Sequence, residues 1–323
     1  MNKFKVVITD YYYENLRQEQ EILTQVGAEV LDFQCQTEDE VIAAAAGCDA
    51  LICQFAPITR RVIQTLDRCK VIVRYAIGVD NIDCKAAAEQ GIYVCNVPDY
   101  GVDEVSNQAI ALLLDCVKKL TYLAGQVKQG NCGYTVVKPL YRMEGKTLGL
   151  VGFGRIPRLV AKKMGGFGLN ILAFDPMMDQ ETARALNVTP VELDRLLRES
   201  DYISVHCPLT ESTHHLFDRA AFSAMKPSAV FVNTARGAVV KEADLVWALE
   251  HGEIAMAGID VSETEPIPPE HPLLKLDNAV VTPHIAWYSE EAVESLQCKA
   301  AQEVARVLTG QAPRNPVNRP NKG

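Results

Sequence analysis

Short runs of β-branched and other apolar residues recur along this chain, separated by stretches of mixed polarity. In the N-terminal part the runs are KVVITD, AEVLDF, ALICQF, VIVRYA and IYVCN. The stretches between them are long enough to form helices, and neighbouring parallel strands need crossovers of about a dozen residues or more. The pattern therefore predicts an α/β domain built on a parallel sheet that helices cover on both faces.

A second series of strand-like runs follows and comprises TLGLVG, NILAFD, YISVHC, AVFVNTA, AMAGID and AVVTPH. Before it lies a proline-free stretch, residues 99–130, which predicts one long helix that could bridge two domains. The segment SEEAVESLQCKAAQEVARVLTG predicts a last amphipathic helix that stops at Gly310 and could return to the first domain. Residues 1–98 with 290–323 are thus predicted to form one domain, and residues 99–289 a second.

Composition excludes several classes of protein. The 323 residues are 48% hydrophobic, enough for a large core, and the net charge of −9 leaves no broad basic field for nucleic acid. Asp10 ends the short N-terminal apolar run, and Asp115, Lys118 and Lys119 end the run at 109–114, so neither a signal peptide nor a membrane span is expected. Ten cysteines without any C-x-x-C pair predict reduced thiols, a cytoplasmic location and no metal site.

The strand TLGLVG runs directly into GFGRIP (residues 152–157) and then into a helical stretch. In this context Gly152 permits a tight turn, and Gly154 lets backbone N–H groups at the helix N-terminus approach a pyrophosphate. Pro157 replaces the third glycine of the usual dinucleotide fingerprint, which is tolerated in the first turn of a helix. A G-x-G motif by itself is equally compatible with an ordinary glycine turn.

The next strand, NILAFD, ends in Asp175, whose carboxylate can accept both hydroxyls of an adenosine ribose. Neither Arg nor Lys follows at once, so a 2′-phosphate at this place would meet a carboxylate without a compensating cation. The arrangement favours NAD over NADP. The alternative is that Asp175 merely caps the end of its strand.

Three further clusters, NTARG, DVSETEP and TPHIAWYSE, fall at the ends of late strands, where open α/β sheets bind ligands. Hydride addition to a 2-oxo acid needs a cation for the carboxylate, an acid that protonates the new alkoxide, and a partner for that acid. Arg236, Glu265 and His284 are of these types. Each alone also fits an ordinary role, as a surface ion pair, a loop carboxylate or a strand-end histidine.

Taken together, the motifs make the chain resemble the D-isomer-specific 2-hydroxyacid dehydrogenases over nearly its whole length. The matching segments, in order, are RYAIGVDNID, NVPDYGVDEVSNQ, GLVGFGRI, HCPLTEST, NTARGAVV, GIDVSETEP and TPHIAWYSEEA. The resemblance implies two doubly wound parallel-sheet domains, a flavodoxin-like substrate domain (1–98 and 290–323) and a Rossmann NAD domain (99–289). It also implies reversible, D-specific hydride transfer between NADH and a 2-oxo acid, and a homodimer formed through the helix after Pro98.

The resemblance assigns roles to the acid–base and substrate groups. Arg236 would bind the substrate carboxylate, His284 would act as general acid or base, and Glu265 would pair with His284 to keep the imidazolium available. In the first domain, Arg74 would face the substrate, and backbone N–H groups would bind its carboxylate at Ile77, Gly78 and Val79.

The resemblance also implies a set of residues that contact NAD. Those at the phosphate turn are Gly152, Gly154, Arg155 and Ile156; those along the adenosine and ribose are Asp175, His206, Cys207, Pro208 and Thr213; those near the nicotinamide are Thr234, Ala235 and Asp260. The segment SNQAI after Val105 departs from the version common among relatives. This departure and Pro157 leave the affinity for the cofactor open.

Within the family, HIAWYSEEA is most similar to the branch that contains the C-terminal-binding proteins, transcriptional corepressors with a dehydrogenase fold. Trp287 would line the substrate pocket and favour an apolar or thioether side chain, or it would instead pack at the domain junction. Two functions follow: a metabolic dehydrogenase, or an NAD-sensing binding protein of the corepressor type. The short tail after the last predicted helix favours the enzyme, and the intact Arg236, Glu265 and His284 disfavour an inactive relative.

Overall fold

The computed structural model describes residues 3–320, and the chain divides into two compact units. Unit 1 comprises Met1–Gly101 and Ser289–Gly323, and unit 2 comprises Val102–Tyr288. The twelve strands described are β1 (Phe4–Ile8), β2 (Ala28–Asp32), β3 (Ala50–Cys53), β4 (Val71–Arg74), β5 (Tyr93–Cys95), β6 (Thr147–Val151), β7 (Asn170–Phe174), β8 (Val188–Pro190), β9 (Tyr202–Val205), β10 (Val230–Asn233), β11 (Met256–Ile259) and β12 (Ala279–Val281).

The α-helices described are α1 (Arg17–Gln25), α2 (Glu38–Ala45), α3 (Arg60–Ile63), α4 (Cys84–Glu89), α5 (Val102–Lys118), α6 (Leu120–Lys128), α7 (Arg155–Met164), α8 (Gln180–Ala185), α9 (Leu193–Glu199), α10 (Arg219–Ser223), α11 (Glu242–His251) and α12 (Glu290–Leu308). The two longest α-helices, α5 and α12, begin next to the boundaries between the units. Within residues 3–320, none of these helices combines the length and the apolar character needed to cross a membrane.

Unit 1 is a parallel sheet with the strand order β2-β1-β3-β4-β5. This is the flavodoxin-like order, as predicted. The inner strands β1, β3 and β4 are almost wholly buried, because apolar clusters cover both faces, whereas the edge strand β2 is partly exposed. The C-terminal helix α12 begins where the side chain of Ser289 accepts a hydrogen bond from Ala292 N, and it buries Leu296, Ala300 and Val304 against this sheet.

Unit 2 is a seven-stranded parallel sheet with the order β12-β11-β10-β9-β6-β7-β8. From the centre of the sheet, β6, β7 and β8 follow one another toward one edge, and β9, β10, β11 and β12 follow one another toward the other edge. This is the doubly wound Rossmann order. The crossover between β6 and β9 creates a switch point at the carboxyl edge of the sheet. The glycine turn after β6 lies at this point.

The prediction of one long helix over residues 99–130 is wrong, because the structure contains two helices there, α5 and α6. Lys119 adopts a left-handed conformation with φ 53°, between the end of α5 and the start of α6. The carboxylate of Asp115 accepts a hydrogen bond from Thr121 N at 2.8 Å. A side chain that captures a backbone N–H in this way competes with helical hydrogen bonding, which explains the break.

Strand β8 was not predicted. It is only three residues long, it ends in Pro190, and it lies at the edge of the sheet beside β7. A proline is tolerated at such an edge, but it weakens the sequence signal for a strand.

Candidate active site

The glycine turn in unit 2 packs tightly against the chain that leaves β9. Gly152 has φ 97°, and its N–H donates to Phe174 O at 2.8 Å. A Cβ at this position would lie 2.9 Å from Cys207 N and from the carbonyl carbon of His206. Only glycine fits here, since both the backbone conformation and the space exclude a side chain.

The start of α7 has open space around it, in contrast to the tightly packed turn at Gly152. Gly154 is the N-cap, no side chain caps the helix, and a Cβ added at Gly154 would meet no atom within 4 Å. Arg155 and Ile156 are the first two helical residues, and the buried Pro157 is the third. The first N–H groups of a helix have no intrahelical partner, so Pro157 removes no helical hydrogen bond and the remaining donors suit a phosphate.

Asp175 follows β7 directly and orients the glycine turn. One carboxylate oxygen accepts from Phe153 N at 2.7 Å, and the other accepts from Met177 N at 2.8 Å. Each carboxylate oxygen has a second lone pair, so the group can still accept ribose hydroxyls. The contact to Phe153 shows that Asp175 does more than cap its own strand.

The predicted adenosine-side residues lie where the chain leaves β9. His206 N donates to Val151 O at 2.7 Å, and Nε2 of its ring lies 2.9 Å from Ser204 Oγ. Burial lowers the pKa of His206 to about 3 and raises the pKa of the Cys207 thiol to about 11. Both side chains are therefore neutral near pH 7. Thr213 closes the following turn by donating from Oγ1 to Pro208 O at 2.6 Å.

The side chain of Asn233, the last residue of β10, shapes the turn that carries Arg236. Its Nδ2 donates to Arg236 O and its Oδ1 accepts from Ala235 N, both at 2.9 Å. The guanidinium of Arg236 donates to Ala235 O at 2.7 Å. Within residues 3–320 the buried hydroxyl of Thr234 has no hydrogen-bond partner. Buried polar atoms are usually paired, so this hydroxyl offers a contact to a bound polar group.

Asp260, immediately after β11, holds the turn that carries His284. Its carboxylate accepts from Thr282 Oγ1 at 2.5 Å, from Ile285 N at 3.1 Å and from Ala286 N at 2.9 Å. Its carbonyl accepts from His284 N at 2.7 Å. His284 has φ 52°, a conformation that residues other than glycine adopt at a cost. The buried carboxylate of Asp260 offsets that cost.

His284 and Glu265 form a directly hydrogen-bonded pair. Nδ1 of His284 lies 2.6 Å from one carboxylate oxygen of Glu265, and the other oxygen accepts from Ser262 N at 3.1 Å. Burial raises the pKa of Glu265, but the hydrogen bond and charge of His284, with Arg236 adding a little, lower it below its ordinary value overall. Glu265 is therefore ionised near pH 7, and Nε2 is the ring nitrogen of His284 that can exchange a proton with a ligand.

Sequence reasoning missed the residues that anchor the Glu265 loop. Glu263 N donates to the side chain of Glu242 at 2.8 Å, and Glu242 N donates to the side chain of Glu263 at 3.1 Å. A Cβ on Gly237 would lie 2.0 Å from the carbonyl carbon of Ser262. In the sequence, the glycine directly after Arg236 indicates this close approach. Asn233 at the end of a strand indicates the side chain that shapes the Arg236 turn. The reciprocal carboxylate pair leaves no signal in sequence.

Trp287 stabilises the turn that carries His284, as Asp260 also does. Its indole Nε1 donates to His284 O at 3.1 Å, and its ring meets that of Tyr288 edge to face, with centroids 5.7 Å apart. The polar end of Trp287 thus supports the backbone of His284.

In unit 1, the other predicted substrate residues follow β4. Nε of Arg74, the last residue of β4, donates to Gln54 O at 3.0 Å. Asn96 supports the next loop by donating from Nδ2 to Ile77 O at 2.6 Å. The backbone N–H groups of residues 77–79 donate to no acceptor within residues 3–320. Successive unpaired N–H groups of this kind can bind a carboxylate.

Comparison with known proteins identifies the family. Residues 110–286 match the model of the NAD-binding domain of D-isomer-specific 2-hydroxyacid dehydrogenases. This chain belongs to that family. It is 38% identical over 86% of its length to glyoxylate reductase of Korarchaeum cryptofilum, covering 85% of that protein.

Two further relatives agree with this assignment. D-3-phosphoglycerate dehydrogenase of Methanocaldococcus jannaschii is 36% identical over 98% of the chain, which spans 60% of the length of that relative. The structure of D-lactate dehydrogenase from Aquifex aeolicus, complexed with NAD and lactic acid, matches with a TM-score of 0.87 and 28% identity, covering 98% of this chain and 100% of that one.

The family member described here is an oxidoreductase that acts on 2-hydroxy acids, and its cofactor is NAD. The described residues fit this cofactor on two independent observations. Gly154 leaves open space at the start of α7, and among residues 3–320 no group pairs with the buried hydroxyl of Thr234.

Proposed function

We propose that this chain is a D-specific 2-hydroxyacid dehydrogenase in which His284 and Glu265 form the acid–base pair and Arg236 binds the substrate carboxylate. The observation that carries the proposal is the 2.6 Å contact between Nδ1 of His284 and Glu265. It fixes the ring so that only Nε2 is available to a ligand. A carboxylate that pairs with Nδ1 in this way holds the imidazole in one orientation, which directed proton transfer from Nε2 requires.

Bound NADH supplies a hydride to C2 of the 2-oxo acid. As the carbonyl carbon gains the hydride, negative charge develops on its oxygen, and Nε2 of His284 donates the proton that converts this oxygen into a hydroxyl. Arg236 stabilises the substrate carboxylate with a planar, permanently charged guanidinium. Glu265 remains ionised and stabilises the imidazolium before the transfer. In the reverse direction neutral His284 takes the proton from the hydroxyl.

In unit 2 the residues proposed to hold NAD are the glycine turn and the start of α7 for the phosphates, Asp175 for the ribose, and the turn around Thr234 for the nicotinamide end. The hydrogen bond from Phe153 N to Asp175, 2.7 Å long, supports the phosphate and ribose assignments together, because it joins the glycine turn to the carboxylate that would bind the ribose. We also propose that Arg74 and the N–H groups of residues 77–79 bind the substrate carboxylate in unit 1.

The test is loss of NADH absorbance with a panel of 2-oxo acids: glyoxylate, hydroxypyruvate, pyruvate, phenylpyruvate and 4-methylthio-2-oxobutyrate. Replacement of His284 by Ala should lower kcat by about 10²- to 10⁴-fold while NADH affinity stays within a factor of about two, because the ring acts on the substrate oxygen. A variant with wild-type turnover would refute the acid–base assignment. Absence of turnover on every acid by the wild type would refute the proposed function.

A cytoplasmic location and the membership of the C-terminal-binding-protein branch stay predictions from sequence. The corepressor alternative gains no support from the relatives described above. Trp287 supports an apolar or thioether substituent on the substrate, since its ring lies in the turn of His284.

A further inference from the structure

Two cysteines of unit 1 lie side by side where the neighbouring strands β3 and β4 begin. These strands are parallel, and Ala50 is in register with Val71. Cys48 and Cys69 each precede that pair by two residues. Neighbouring strands are about 4.8 Å apart, and the Cα atoms of a disulfide are about 4.4–6.8 Å apart. The register therefore gives these two cysteines the backbone spacing that a disulfide needs.

Backbone and side-chain contacts hold the two turns that carry the cysteines. Lys70 N donates to Asp49 O at 2.9 Å, which continues the pairing of β3 and β4 toward the cysteines. The carboxylate of Asp49 also forms an ion pair with Arg68 at 2.9 Å. Asp49 directly follows Cys48, and Arg68 directly precedes Cys69. The ion pair thus joins the two turns at the residues next to the sulfur atoms.

The two thiols lie in the same apolar cluster and contact each other. Cys48 is 1% exposed and Cys69 is 7% exposed, and both belong to the cluster that covers one face of the sheet. Sγ of Cys69 donates to Val71 O at 3.3 Å. A hydrogen bond between the two thiols lowers the pKa of Cys48 and raises the pKa of Cys69. The side chains as well as the backbones are therefore adjacent.

Both sulfur atoms lie just beneath exposed turns. Gly47 is exposed and a Cβ there would meet nothing within 4 Å, and Arg68 is also exposed. A local opening of either turn admits an oxidant of the size of water. The hydrogen bond from Cys69 and the charge of Lys5 outweigh the effect of burial, so the pKa of Cys48 lies below its ordinary value. Cys48 is therefore the thiol of the pair that more readily gives the reactive thiolate.

We propose that Cys48 and Cys69 are a redox modification site, at which a hydroperoxide converts the two thiols into a reversible disulfide. The Cys48 thiolate attacks one peroxide oxygen, the O–O bond breaks, and a sulfenic acid and one water form once the leaving hydroxide gains a proton. The Cys69 sulfur then attacks the Cys48 sulfur; the S–S bond forms, the S–O bond breaks, and the hydroxyl leaves as a second water with the proton of the Cys69 thiol. The peroxide gains the two electrons that the sulfurs lose, and an added dithiol returns them by exchange.

The expected consequence is a change in stability. The disulfide would close a loop over the 20 residues between the cysteines, which restricts the unfolded chain. It lies where β3 and β4 begin, whereas Arg74 and residues 77–79 of the proposed carboxylate site follow the other end of β4. The modification is therefore separate from the chemistry proposed above, and its test requires no turnover.

The experiment treats the full-length protein with hydrogen peroxide, alkylates the remaining thiols and maps peptides without reduction. The wild type should give a cross-link between Cys48 and Cys69 that dithiothreitol removes. Cys48→Ala and Cys69→Ala should give no such cross-link. Cys35→Ala is the matched control, because it removes a thiol that is also 7% exposed in the same cluster, and it should form the cross-link as the wild type does.

The exposed Cys132 reports in the same samples how much oxidant the protein has received. Oxidation of Cys132 without a cross-link between Cys48 and Cys69 would overturn the proposal, and so would a sulfinic acid at Cys48 as the main product. The oxidised wild type should also melt several degrees above the reduced form, a difference that Cys48→Ala should lack. An oxidised form that melts below the reduced form would show that the thiols are not placed for this bond.

Discussion

At the scale of single residues, the candidate site depends on polar side chains that hold backbone turns. His284 has a left-handed backbone, φ 52°, and Asp260 supports it with a carbonyl and a carboxylate that accept hydrogen bonds from the same turn. Asn233 performs the same task for Arg236. Groups of this kind do not react, but they place the reacting groups with the accuracy that proton transfer requires.

Replacement of Glu265 by Gln tests the acid–base pair and its pH dependence. We expect kcat to fall by about one to two orders of magnitude, because the amide supplies no charge to the His284 ring. NADH affinity, measured by fluorescence titration, should not change. Loss of NADH binding instead would show that Glu265 supports the fold of the cofactor site.

The same variant has an expected signature in stability. The pKa of Glu265 is lowered in the folded protein, so its ionised form contributes stability above the unfolded value of about 4.3, and this contribution is lost as pH falls through the folded pKa. Glu265→Gln should therefore melt below the wild type at pH 7, and the two melting temperatures should converge as the pH falls through the lowered pKa of Glu265. A constant difference at all pH values would contradict the ion pair.

At the scale of elements, the loop after β11 is held against the turn after β10 and against the start of α11. The contacts are the close approach of Gly237 to Ser262 and the two hydrogen bonds between Glu242 and Glu263. Because Glu265 lies on this loop, its distance to His284 depends on packing that neither residue makes itself.

Gly237→Ala should separate this packing effect from general effects of adding a methyl group. The new Cβ would overlap the Ser262 carbonyl group, so we expect a loss of about 1–3 kcal/mol in the free energy of unfolding and a large fall in kcat. Gly166→Ala in the short turn after α7 is the matched control, since its Cβ meets nothing within 4 Å and its φ lies outside the left-handed region. The free energy of unfolding in denaturant and kcat are measured for both variants. Equal changes in the two variants would contradict the expectation.

At the scale of the whole molecule, the helix α6 buries none of its residues. Leu120 and Val127 on this helix are 56% and 59% exposed, and Tyr134 and Tyr141 just after it are 73% and 57% exposed. Several exposed apolar side chains within one segment of about twenty residues are typical of an interface. This supports the predicted homodimer and moves its expected interface from one long helix to α6 and the segment after it.

Light scattering coupled to gel filtration tests the dimer. The wild type should have the mass of two chains, and Val127→Glu should shift it toward one chain because a charge would be buried in the interface. Val317→Glu, at a 43% exposed position of unit 1, should remain dimeric. A wild type with the mass of one chain would disprove the prediction.

The sequence by itself determined the fold class, the cofactor and the family, and the family resemblance added the flavodoxin-like and Rossmann types of the two domains. Alternation of apolar runs with helical stretches leaves few options other than parallel sheets. The glycine turn and Asp175 lie at the ends of two consecutive strands, so their spacing is a local signal in the sequence. The sequence did not show the break at Lys119, the strand β8, or the Glu242 and Glu263 pair. Only the tertiary structure decided these, and likewise the pairing of Asp10 with the Phe55 loop. The strand β8 is too short, and ends in a proline, to give a clear pattern. Each of the other features depends on a side chain that meets a backbone group brought near by packing, and no periodicity along the chain records such a meeting.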